Sequence, residues 1–414
     1  MDMKTYVFLT RRIHGVDGNI QYIYNKAKFL EARGFQTFVS SAENGPIVVD
    51  AMRRYENGIL PAMFFCPSTF RPRMRDSVLE TFLSRLPASS GFILESNTPV
   101  GAVWGEWAAS RLGCKHVVFN LHERYDYSED MRAFFRFKLA RRELFGITEN
   151  SVPLMLGGTS GETSPETRIS AICANTVDDV PDRISPALDP HADYTIGSIG
   201  RLEKACVPRI LDGMARFAAA MPEKSFNILL VGGCRGRKKE RKIRRFFDGL
   251  RNVRLLMTGN MYPIPESLLH HVDVFVSTAG SANATYKNGI PTIKVHPLTG
   301  EVVEIPGLNN RTERSSMYSA SGNLTIPGSL RNLLLDRPPI RYPASGKDEA
   351  QRFMDAEFGR QLELAMENTG KGYYPDVDLL RIGTPFLRHP RALQILVRLF
   401  GVRTVKKLAG LVRG

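Results

Sequence analysis

The turn Ser277-Thr278-Ala279-Gly280-Ser281 has the residue types that hold an anion. An apolar run over 272–277 ends in small, hydroxylated residues, and helix-compatible sequence follows from about residue 281. The first N–H groups of such a helix have no internal partners, and its dipole is positive there. Gly280 lets a phosphate approach the backbone, and the hydroxyls of Ser277, Thr278 and Ser281 add donors. No Asp or Glu lies between residues 274 and 289. Taken alone, Ser281 could equally be an ordinary helix cap and Gly280 an ordinary tight turn. A second stretch adds weight. In SIGRLEKACVPRILDGMARFA, residues 198–218, Arg201 and Lys204 follow another strand end. A planar guanidinium beside an ammonium suits a diphosphate.

Candidate acid–base and positioning groups lie in the N-terminal half. His122 and Glu123 follow a strand in VVFNLHERYDY, residues 117–127. Glu95, Ser96 and Asn97 close another strand, with Glu106 on the helix after it, where it reads as a structural acid. His14 sits in a first glycine loop with Gly15 and Gly18. No Asp-x-Asp metal site is evident, so no metal and no cofactor is expected.

The elements that must position these groups recur as strand, loop, helix, strand. Strands are expected over 6–10, 36–41, 92–95, 116–121 and 169–174, with helices over 20–32 and 99–112. The pattern restarts with strands over 194–199, 226–231, 253–257 and 272–277 and helices over 209–220 and 238–250. Between the halves, DDVPDRISPALDPHAD (178–193) carries three prolines and many acids and reads as a linker. Alternating units of this size imply parallel sheets covered by helices on both faces. The chain is therefore an α/β protein of two doubly wound, Rossmann-like domains facing a cleft, over 1–180 and 194–340, with a helical, basic segment over 345–414. Ligands of such sheets bind at the carboxyl ends of the strands, where every stretch singled out above lies.

The order of IGRLEK, NILLVGG, NVRLLMTG, HHVDVFVSTAGSA and NGIPTI resembles the nucleotide-sugar domain of GT-B glycosyltransferases. It looks most like the large retaining family that builds bacterial surface polysaccharides. VDGNIQYIYNKAKFLEARGFQTFV is similar to that family's glycine loop, first helix and turn into a strand. The resemblance covers roughly residues 4–300. It implies a nucleotide-sugar donor, UDP-linked, with Arg201 and Lys204 on its diphosphate and Gly280 and Ser281 meeting it at the helix N-terminus. Gly15 and Gly18 would close on it from the other domain, and Thr258 would lie by the nucleobase. His122 would position the sugar, with Glu123 and His14 as the other catalytic candidates. A retaining enzyme of this fold needs no dedicated base, because the leaving phosphate can take the acceptor proton. The family carries two glutamates around the 277–289 turn, and here both are absent. Asn283 or Thr285 would replace the ribose contact as neutral hydrogen-bonding groups.

The chain has 414 residues and a net charge of +14. Such a balance draws a protein to nucleic acid, anionic membranes or polyphosphates. Residues 228–247, ILLVGGCRGRKKERKIRRFF, carry eight cations from Arg235 to Arg245 around one glutamate. Ile243, Phe246 and Phe247 give this run an apolar stripe, so it reads as a solvated helix face. It has no interleaved aromatics, and nucleic acid is not an expected partner. Residues 371–414 hold nine Lys or Arg and two Asp beside apolar stripes. That end suits an anionic membrane surface, or a helix packing back on the first domain. A lipid-linked or polysaccharide acceptor fits both the charge and the tail. Five scattered cysteines, no signal-peptide pattern and no long apolar stretch point to the cytoplasm, with peripheral contact at the inner face of the membrane. Two further readings share these residues: a sugar-nucleotide epimerase of the same fold and a non-catalytic glycosyltransferase-like partner. Nicotinamide chemistry is disfavoured, since no first strand leads into GxGxxG with a later acid.

Overall fold

Mostly apolar runs three to eight residues long, alternating with helical segments, fold into two six-stranded sheets. The computed structural model describes residues 4–16, 18–43, 45, 47–120, 127–146, 151–158, 177–234, 236–308, 324–343, 347–367 and 372–381. The chain divides into two compact units. The first comprises residues 1–15, 22–172 and 352–414, and the second 16–21 and 173–351.

The first unit runs β1 (Thr5–Arg12), α1 (Gly18–Glu31), β2 (Gln36–Glu43), β3 (Glu56–Ile59), α2 (Pro72–Leu83), β4 (Phe92–Ser96), α3 (Pro99–Leu112), β5 (Lys115–Asn120), α4 (Glu129–Ala140), β6 (Leu144–Gly146) and α5 (Ser151–Met155). Its strands pair in parallel in the order β3-β2-β1-β4-β5-β6. The helix boundaries follow local chemistry. Thr98 caps α3 by accepting the Gly101 N–H at 3.0 Å, Pro99 occupies its first turn, and Gly113 ends it at φ +65°. Val7, Leu9, Leu94 and Val118 of the strands pack with Trp104, Phe134 and Phe135 of the helices as the core.

The second unit runs β7 (Val177–Asp178), β8 (Tyr194–Ile199), α6 (Val207–Ala219), β9 (Phe226–Val231), α7 (Arg237–Arg244), β10 (Val253–Gly259), β11 (Ile264–Pro265), α8 (Glu266–His270), β12 (Val274–Ser277), α9 (Ala279–Lys287), β13 (Thr292–Val295), β14 (Val302–Glu304) and α10 (Ile326–Arg331). The sheet order is β10-β9-β8-β12-β13-β14, parallel except for β14 against β13. On α6 the residues Ile210, Leu211, Met214, Phe217 and Ala218 recur at helical spacing and are all buried. A last helix, α11 (Lys347–Glu367), follows. From residue 352 on it belongs to the first unit, within which its Phe358 is buried against Tyr22 and Phe29 of α1.

Three expectations change. The basic helix ends at Arg244 rather than near 250, because a 3-10 turn over Arg245–Phe247 brings Phe247 into the core. Residues 178–193 are not a free linker: β7 pairs with β11, and Leu188 is buried beside Leu268 and Leu269. Helix α9 starts two residues early, at Ala279, with Thr278 as its cap residue. The strand expected over 169–174 lies outside the described residues.

Candidate functional site

In the second sheet the strand order reverses between β8 and β12, and a doubly wound sheet binds ligands outside the carboxyl ends at that point. The two ends are tied together there. The Ile199 N–H donates to Ser277 Oγ at 3.0 Å, and Lys204 Nζ donates to Thr278 Oγ1 at 3.1 Å. Lys204 thereby stands at the N-terminus of α9, with its ammonium where the helix dipole is positive. Two positive features held together suit an anion between them. The same point explains Gly200, whose φ is +147°. A Cβ there would lie 3.8 Å from Lys204 Nζ and 4.0 Å from Ser281 Oγ. Its hydrogen leaves the floor open between the lysine and the helix.

The hydroxyl of Thr278 accepts from Lys204, and no side-chain bond caps α9. Ala279 follows at φ +43°, a left-handed conformation that costs a non-glycine residue about 1–3 kcal/mol. Such strain at the entry to a helix is typical of a binding turn. Gly280 is half-buried, Ser281 is buried, and Asn283 faces solvent on the next turn. Arg201 is exposed on the β8 loop. Thr258 is half-buried at the end of β10, with its hydroxyl donating to the Gly259 carbonyl at 2.9 Å.

One alternative is removed. Thr285 is fully buried, and its hydroxyl bonds Thr292 Oγ1 at 2.9 Å, so it cannot serve a ribose. Two features were missed in the sequence. Gly232, at φ +155°, lies against the Gly200 carbonyl so closely that any Cβ would collide with it. It therefore locks the β9 loop onto the β8 loop, with Leu202 N–H donating to the Gly233 carbonyl at 3.0 Å. The loop after β13 is braced as well. His296 Nδ1 accepts the N–H groups of Leu298 and Thr299 at 3.3 and 3.1 Å, holding Leu298 out at 66% exposure. The HPLTG sequence was the available signal for that turn.

In the first unit His14 lies half-buried with its ring against Gly45, and Gly15 turns at φ +90°. Gly18 is the first residue of α1 and falls with the second unit. His122 and Glu123 lie outside the described residues. Glu95 is not presented to a ligand: it is fully buried, accepting from Tyr6 Oη at 2.6 Å and ion-paired to Lys26 at 2.5 Å. Lys26 also reaches Gln361 of α11.

A second buried network surrounds Glu106. His116 Nδ1 lies 2.9 Å from Glu106 Oε2, and its Nε2 lies 2.9 Å from Ser96 Oγ. Lys138 Nζ donates to the same Glu106 oxygen at 2.8 Å and also pairs with Glu143. The Tyr374 N–H donates to the other oxygen, Glu106 Oε1, at 3.1 Å. Serine, histidine and glutamate line up here as in a hydrolase, yet all three are at most 1% exposed, which makes the array a polar core.

This network gives a pH prediction. Burial, then the Lys138 charge, pushes the His116 pKa down despite Glu106. Neutral His116 is thus favoured in the fold, while the unfolded chain takes up a proton near pH 6.5. That contribution is complete above about pH 6.5 and is lost as pH falls towards the folded pKa. Burial would raise the Glu106 pKa, but the His116 hydrogen bond and Lys138 outweigh it and hold it well below the usual carboxylate range. Its contribution acts in the same sense, starting from about pH 4.3 downwards. The Tm at pH 5 is expected below that at pH 7, with His116→Gln flattening the dependence. An unchanged profile in that variant would remove His116 as the cause.

Two doubly wound parallel sheets and a helix after the second define a GT-B-like fold. The chain is similar to HepE from Anabaena, solved in complex with UDP and glucose, at 15% identity, over 88% of this chain and 95% of that one, with TM-score 0.51. It is also similar to a glycosyltransferase from Rickettsia africae (11% identity, 91% and 96% coverage, TM-score 0.54). Sucrose-phosphate synthase from Thermosynechococcus elongatus is a third (13%, 88% and 94%, 0.53). At these identities the likeness is one of fold. No protein-family model and no curated protein matches the sequence. Among the described residues no helix is long and apolar enough to cross a membrane.

Proposed function

We propose that this protein is a glycosyltransferase, of the retaining type, that moves a sugar from a UDP-linked donor to a lipid-linked or polysaccharide acceptor in bacterial cell-surface polysaccharide synthesis. The observation that carries the reading is Lys204 Nζ held by Thr278 at the N-terminus of α9, opposite a glycine that keeps the space clear. In this reading Lys204 and Arg201 neutralise the diphosphate as it departs, and the N–H groups of Gly280 and Ser281 bind it. Asn283 takes the ribose, Thr258 lies by the base, and Gly15 and Gly18 add backbone donors. His122, Glu123 and His14 act on the sugar and acceptor. The likeness to a fold solved with UDP and glucose supports a UDP donor.

A second reading is a non-catalytic partner of such an enzyme, favoured by α9 having no acid in its first turn. Thermal shift against UDP-, GDP- and other nucleotide sugars, without metal, separates the two. Saturation at 100 times Kd stabilises by about 2.7 kcal/mol, a clear rise in Tm. A shift with one nucleotide sugar together with transfer to an acceptor supports the enzyme. No shift in a folded sample would favour the partner.

A further inference from the structure

We infer that the exposed face of α7 is a docking surface for the anionic headgroups of a lipid bilayer. The inference stands on this helix alone and does not depend on the donor reading. Helix α7 packs by Ile243, which is 5% exposed, with Phe247 buried in the turn that follows. Residues at i, i+4 and i+7 share one side of a helix, so Arg237, Lys238, Arg241, Lys242 and Arg245 fall together on the side away from Ile243. All five are exposed. Among the described residues none of the five has an ion-pair partner, whereas Arg244 pairs with Glu240 at 2.8 Å and Lys239 with Glu203 at 3.6 Å. The paired cations flank the buried stripe, and the unpaired ones form the outer face.

This arrangement acts against the helix. Like charges repel at 237/241, 238/242 and 241/245, each four residues apart. Three cations also occupy the first turn, where the dipole disfavours them, behind a Gly236 cap residue that makes no side-chain bond. Glu240 in the first turn, the cations of the last turn and the two ion pairs offset part of this cost, but the five like charges of the outer face are left together, and an external polyanion would complete them. The outer face holds no aromatic side chain for base stacking, since Phe246 is half-buried and Phe247 buried, which disfavours a nucleic-acid strand. A bilayer of anionic headgroups requires only a row of cations on flexible stems, and five are present.

The Lys239–Glu203 pair ties the first turn of α7 to the loop that carries Arg201 and Lys204. Docking by this face would set that loop beside the bilayer surface.

The test is co-sedimentation of the full chain with phosphatidylglycerol-containing vesicles and with phosphatidylcholine vesicles. One variant carries Arg237→Gln, Lys238→Gln, Arg241→Gln and Lys242→Gln. A control of equal charge carries Arg71→Gln, Arg73→Gln, Lys287→Gln and Arg331→Gln, four exposed cations away from both α7 and the basic tail. Each cation near an anionic surface is worth about fivefold in partitioning, so the α7 variant is expected to lose on the order of a hundredfold or more. The wild type is expected to ignore phosphatidylcholine, and the control to lose at least tenfold less than the α7 variant. Equal losses in the two variants would assign binding to net charge and overturn the proposal. So would undiminished vesicle binding by the α7 variant, absence of binding by the wild type, or tighter binding of the wild type to duplex RNA than to the anionic vesicles. Matching Tm values keep a folding defect from imitating the expected result.

Discussion

Lys138→Met is expected to destabilise the protein by about 3–5 kcal/mol, the cost of leaving buried charge without its partner. Lys138 is 1% exposed and donates to Glu106 at 2.8 Å, to the His116 carbonyl at 2.6 Å and to Glu143. Both carboxylates are equally buried, so methionine would fill the volume while leaving two anions facing one site. The measurement is convenient because both tryptophans of the chain, Trp104 and Trp107, flank Glu106 on α3. Urea unfolding followed by their fluorescence reports on the first unit. Adding Glu106→Gln or Glu143→Gln to the variant is expected to recover part of the loss, since each removes one orphaned charge. A single-variant loss under 1 kcal/mol would mean that water or a shifted Arg141 satisfies the cluster, and that the network is not what seats α4 and the 372–381 segment.

That cluster marks where sequence reading stops. The alternation of strand and helix was legible because parallel strands are buried on both faces and read as continuous apolar runs. The turns at Gly113 and Pro99 were legible because their chemistry is local. Lys26 and Lys138 were not. A lysine in a helix reads as solvated, and what buries Lys26 is Glu95, 69 residues away, and Gln361, 335 residues away. Burial of a cation is a property of distant partners, and no window of sequence contains them. The start of α9 was misjudged for a different reason: Ala279 adopts a left-handed φ that alanine ordinarily avoids, so the sequence pointed to Ser281. Within the candidate site, Arg201 and Lys204 stood out by charge type beside a strand end. Gly232 did not, because its role is to clear a carbonyl on a neighbouring loop, a contact that follows only from the pairing of β8 with β9.

The double variant Arg201→Ala, Lys204→Ala is expected to lose UDP affinity by about a hundredfold to ten thousandfold while keeping its Tm. Each charge-assisted hydrogen bond to a diphosphate contributes roughly 1.5–3 kcal/mol, or about tenfold to a hundredfold. The fold should not notice the change. Arg201 is exposed, and Lys204 is half-buried on a loop, its ammonium donating to the Thr278 hydroxyl, a contact that water can replace. Thr278→Val separates geometry from charge. It keeps both cations but removes the oxygen that aims Lys204 at α9, so affinity should fall about tenfold, with the salt dependence of binding unchanged. If isothermal titration finds UDP bound by the double variant within threefold of the wild type, the anion is held elsewhere. The turn at residues 277–281 would then be an ordinary strand-to-helix connection, and the absence of carboxylates around it would carry no meaning for a donor.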